Sequence, residues 1–84
     1  MAKASKLYAK LLQKPQPNIK FRDFEKLLSA FGFVLDRTVG SHRQYVHPKA
    51  NRSLPVQPDS KEAKRYQVRQ FLDMIEEFGL SLEE

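Results

Sequence analysis

The chain has 84 residues, with fifteen Lys/Arg against ten Asp/Glu and a formal net charge of +5. That length suits one small domain whose modest core leaves few residues free of structural duty. There is no cysteine and there are two histidines, which excludes disulfides and thiolate zinc sites and makes a dedicated metal centre or other cofactor unexpected.

The charge is uneven. Residues 1–69 carry all fifteen basic side chains against five acidic ones, while residues 70–84 carry five acidic and no basic side chain. A basic body suits a polyanionic partner such as nucleic acid; a solubilising surface is the plainer alternative. No apolar run is long enough to span a bilayer, and no signal-peptide h-region follows the basic start. A cytoplasmic protein without membrane partners is expected.

Leu7, Tyr8, Leu11 and Leu12 make a short helical stripe over residues 3–13, surrounded by Lys3, Lys6, Lys10 and Lys14. Such a helix either grips phosphates or packs on the domain. Pro15 and Pro17 end it. Phe21, Phe24, Leu27, Leu28 and Phe31 then form a strong amphipathic helix over residues 21–31. Asp23 sits in its first turn, where the helix dipole favours an anion, and Gly32 follows at the natural C′ position. These phenylalanines are core residues rather than a base-stacking platform.

Residues 33–39 read as a strand, Gly40-Ser41 as a turn, residues 42–47 as a second strand and residues 52–56 as a third. Pro55 places the third strand at an edge or makes it irregular. Residues 57–63 read as a polar connection in which Asp59 or Ser60 caps the next helix. Val68, Phe71, Leu72, Ile75 and Phe78 define that helix, over residues 64–78, with Gly79 closing it and Leu80 packing back. The order predicts an α+β fold, a three-stranded antiparallel sheet with helices on one face and the other face open, plus an extra N-terminal helix.

Both histidines fall in the second strand. They are five residues apart, so a regular strand points them to opposite faces, and they are not a paired acid and base. Tyr45 is the largest side chain of this strand and is placed toward the helices. Arg43 and His47 then share its side, and His42, Gln44 and Val46 take the open face. Placing Val46 inward would reverse this, and a bulge at Gly40-Ser41 would also upset the count. An exposed imidazole among Arg and Lys suits cleavage of RNA by its own 2′-hydroxyl: it titrates near neutrality and serves as base or acid. Neighbouring cations offset charge on the phosphorane. Arg37, Arg43, Lys49 and Arg52 are the phosphate contacts suggested by closeness in sequence, with Lys64 and Arg69 as weaker ones. His47, beside Pro48, reads as a structural residue.

Gly40-Ser41-His42, followed by Arg43-Gln44-Tyr45-Val46-His47-Pro48, resembles the signature of HicA-type toxins, small bacterial ribonucleases also described as mRNA interferases. Phe24–Phe33 resembles the family's first helix and the start of its first strand. Ala63–Leu72 resembles the last helix of one branch, and Leu54–Pro58 fits the third strand. The resemblance covers residues 18–82, which divides the chain into an N-terminal basic helix and linker (1–17) and a family domain (18–82). It implies a fold like the double-stranded-RNA-binding domain and a metal-free catalytic role for His42. It also implies RNA contacts at Gly40 and Ser41, an mRNA substrate, and a HicB-type antitoxin that masks this face. Arg65 stands where proline is expected in this branch. The alternatives are an RNA-binding module that does not cut, since such folds need no catalytic residue, and an interaction protein whose basic surface meets an acidic partner.

Overall fold

The computed structural model describes residues 3–83. Helix α1 (Ala4–Leu11) is followed by α2 (Phe21–Ala30), then by a meander of β1 (Val34–Val39), β2 (His42–Val46) and β3 (Leu54–Val56). A small hairpin, β4 (Pro58–Asp59) and β5 (Glu62–Ala63), precedes α3 (Arg65–Phe78). The main sheet is antiparallel with order β1-β2-β3. The expected α+β architecture of three helices and a three-stranded antiparallel sheet is present, with the second, two-stranded sheet added to it.

The helices form where the apolar residues recur on one face. Phe24, Leu27 and Leu28 of α2 and Phe71 of α3 are fully buried. Aromatic rings meet edge-on there, Phe24 with Phe71 at 5.6 Å and Phe31 with Phe71 at 5.4 Å. Such pairs add about 0.5–1.5 kcal/mol beyond the area they bury. The sheet contributes Tyr45, Leu54 and Val56 to the same core. Helix α1 packs into it as well, burying Ala4, Leu7 and Leu11 and setting Tyr8 edge-on to Phe31 at 5.0 Å. Packing therefore accounts for Leu7, Tyr8 and Leu11 of the N-terminal apolar stripe, while Leu12 stays exposed.

The termini of the helices follow partly different rules from those expected. Gly32 (φ +92°) and Gly79 (φ +63°) both take the positive φ that ends a helix cheaply only at glycine. The Leu80 amide donates to the Ile75 carbonyl at 3.0 Å, and Leu80 is buried. The start of α3 corrects the sequence expectation: Lys64 is its N-cap residue and no side chain caps it. Asp59 and Ser60 are instead used by the β4–β5 hairpin, with Ser60 at φ +60° in its turn. That hairpin also replaces the expected polar connection. It lies against the start of α2, with the Phe21 amide donating to Lys61 O at 2.8 Å and the Ala63 amide to Ile19 O at 2.9 Å.

Strand β1 forms an edge of the sheet, and all six of its residues are exposed. The helices cover β2 and β3 but stop short of it, so Val34, Leu35 and Val39 remain 59%, 46% and 66% exposed. A register shift between Leu35 and Arg37 makes a bulge at Asp36. A bulge carrying charged side chains blunts an edge against further strand pairing.

Candidate functional site

Val39 pairs with His42, so β1 and β2 are joined by the two-residue turn Gly40-Ser41. Gly40 has φ +61° and Ser41 has no positive φ, the pattern of a type II′ hairpin turn with glycine first. The space around Gly40 is open, so its backbone conformation is what requires glycine.

The turn sets the alternation of β2. Tyr45 is buried and its hydroxyl donates to Glu25 Oε2 of α2 at 2.7 Å. Arg43 points the same way. Its guanidinium forms an ion pair with the other oxygen of Glu25 and lies 5.3 Å over the Phe21 ring. That pairing raises the Arg43 pKa, chiefly through the hydrogen bond to Glu25. Burial, then the carboxylate, raises the Tyr45 pKa well above 10.0. Thus Arg43, Tyr45 and His47 face the helices, and His42 and Gln44 face the open side. The bulge lies in β1 and leaves this alternation intact.

His47 is a structural residue. It is 6% exposed, with Nε2 2.9 Å from the Phe31 carbonyl and Nδ1 accepting from the Lys49 amide at 3.0 Å. These partners assign a neutral ring protonated on Nε2. Its edge-on contact with Phe33, at 5.1 Å between centroids, fixes it further.

His42 is the opposite case. It is exposed and has no hydrogen-bond or ion-pair partner among the described residues. On its face the register sets Val39 directly across from it, and Arg37 across from Gln44. Arg37 is therefore diagonal to His42, a relation that places Cβ atoms about 7–8 Å apart. Arg37 touches Asp36 at 3.5 Å, with the arginine side chain 70% exposed, and such a pair holds the arginine only weakly.

The structure brings Gly40, Ser41, His42 and Arg37 together. Arg43 lies at the same end of the sheet but on the opposite face. Lys49 and Arg52 lie beyond the far end of β2, which rises about 14 Å from His42 to Val46. Arg52 pairs with Glu77 at 2.7 Å and lies 5.3 Å over the Phe78 ring. The side chain missed from sequence is Glu25, which had no distinguishing signal on a helix surface rich in charge. Among the described residues no group of three or more His, Cys, Asp or Glu is placed to hold a metal ion. No helix among them is long and apolar enough to cross a membrane.

Fold and site together define a small basic α+β protein that presents an exposed histidine on an open sheet face. The family model for HicA toxin of bacterial toxin-antitoxin matches residues 21–80, and the chain belongs to that family of toxins. Membership of a toxin–antitoxin system gives it an antitoxin as partner. Comparison with curated proteins and with solved structures finds no match.

Proposed function

We propose that the protein is the ribonuclease toxin of its pair, an mRNA interferase that cleaves RNA with His42 as its one catalytic histidine. The observation that carries this is the exposure of the His42 imidazole on the open sheet face beside the Gly40-Ser41 turn, with Arg37 diagonal to it. In this reading the 2′-hydroxyl of the RNA attacks the adjacent phosphorus. His42 takes the hydroxyl proton as base or hands a proton to the departing 5′ oxygen as acid. Arg37 stabilises the charge gathered on the phosphorane oxygens. His47 cannot serve as a second histidine because both of its nitrogens are engaged in the core. The reaction uses no metal.

Residues 18–82 are the catalytic domain, with a fold like the double-stranded-RNA-binding domain, and α1 of the N-terminal segment buttresses it. A HicB-type antitoxin covers the open face. The exposed Val34 and Val39, which flank the His42 row, supply apolar surface for such a cover.

One observation favours a second reading. Among the described residues His42 has no hydrogen-bonded group to orient it, whereas a catalytic histidine usually has one, and an RNA-binding module that does not cut would need none. Induced expression of the wild type and His42→Ala, scoring growth and mRNA integrity together, separates the two. In vitro cleavage in the presence of a chelator completes the test. Loss of both effects in the mutant, general acid–base catalysis being worth about 10²–10⁴ in rate, supports the nuclease. A mutant that cleaves as fast as wild type sinks it.

A further inference from the structure

Behind the sheet end that carries His42 is a cavity of about 540 Å³. It is lined by Lys20, Arg22, Arg43 and Lys61, with Glu25 as its only carboxylate among the described residues and with Phe21 and Pro58 as its apolar surface. Four cations against one carboxylate leave a lining charge of +3. Glu25 is already held by Arg43 and Tyr45. Lys20, Arg22 and Lys61 take part in no ion pair among the described residues. The acidic neighbours in sequence, Asp23, Asp59 and Glu62, do not line the cavity.

This cluster is built by the fold. Hydrogen bonds from Phe21 N to Lys61 O and from Ala63 N to Ile19 O hold the hairpin turn beside the start of α2. They gather three cations from two segments about forty residues apart. Lys20 caps α2 without a side-chain hydrogen bond, and the Arg22 amide has no backbone acceptor among the described residues. Amides of the first turn point out of the helix start, and Arg22 lines the cavity. Cations, a free amide and a partly apolar wall suit a phosphodiester with its sugar.

The geometry points to this cavity as a second phosphate-binding site for the RNA strand that passes His42, an inference that rests on the proposed function. Arg43 belongs to the cavity and is the next residue after His42, their Cα atoms about 3.8 Å apart. The two sites thus occupy opposite faces of one sheet end. A flexible single strand can bend around that end, and a stiff duplex cannot. Single-stranded RNA is therefore the ligand.

The test uses the full chain carrying His42→Ala, so that RNA survives, and a short single-stranded RNA titrated over a range of salt. Combining Lys20→Ala, Arg22→Ala and Lys61→Ala is expected to flatten the slope of log affinity against log salt by about 0.7 for each phosphate no longer neutralised. Removing the same charge from the α1 region, with Lys6→Ala, Lys10→Ala and Lys14→Ala, is expected to change it much less. In the chain with an intact cavity, the Arg22 amide resonance is expected to shift on adding RNA, a readout that needs no cavity variant to fold. Equal slopes for the two triple variants, or an Arg22 amide that stays in place while RNA binds, overturn the site and leave the nuclease standing. A wild type that neither binds nor cleaves RNA overturns both.

Discussion

The Tyr45 hydroxyl donates to one oxygen of Glu25 at 2.7 Å while Arg43 holds the other. One carboxylate on α2 thereby ties down two side chains of the strand that begins with His42. The bond fixes which face of β2 is inside, and so which face the histidine takes.

Glu25→Ala is expected to lower stability by about 1–3 kcal/mol, toward the low end because Arg43 remains partly in water. Glu25→Gln keeps an acceptor for Tyr45 and is expected to lose less. Urea denaturation of the two variants measures the difference, and equal losses would refute the role given to the Tyr45 bond.

The raised Tyr45 pKa carries a pH dependence. Above the ordinary value of 10.0, the unfolded chain releases this proton while the folded chain retains it. The folded state then binds more protons, so stability falls as pH rises. The contribution is fully present below pH 10 and is lost above it. Denaturation midpoints at pH 8 and pH 11 are expected to differ less in Tyr45→Phe than in the wild type.

The two histidines should separate cleanly. His47→Ala removes two hydrogen bonds from a buried ring, and a loss of about 2–4 kcal/mol is expected. His42→Ala, at an exposed position without partners, is expected to stay within about 0.5 kcal/mol of wild type. Thermal or urea unfolding checks both stabilities, and RNA cleavage per folded molecule tests the chemical role proposed for His42. A His42→Ala chain that fails to fold would contradict its assignment as a surface residue.

Among the basic residues near the signature in sequence, Arg37→Ala is expected to reduce RNA cleavage most, by about tenfold or more. Lys49→Ala and Arg52→Ala, at the other end of β2, are expected to reduce it less. Initial cleavage rates at one salt concentration rank the three. Arg52→Ala is expected to show a small stability change from its exposed pair with Glu77.

Most of the architecture was legible because its signals are local. The recurrence of Phe24, Leu27, Leu28 and Phe31 places one face of α2 in the core, and strand alternation alone separates His42 from His47. The size of Tyr45 then determines which of them is outside. Closeness in sequence to His42 was a poorer guide to the cations. Arg37 is brought to its face by register, while Lys49 and Arg52 are carried away by the length of β2.

What the sequence determined by itself is a small α+β chain with a histidine on a glycine turn of a sheet whose other face is covered by helices. Periodicity and turn chemistry are sufficient for that, since each acts over a few residues. The tertiary structure decided the rest. It pairs Glu25 with Arg43 and Tyr45, leaves β1 beyond the helices, and folds residues 58–63 into a hairpin against the start of α2. Strands of two residues show no alternation to read, and the α2 start they pack on lies about forty residues away. Only the closing of the chain brings Lys20, Arg22 and Lys61 together behind His42.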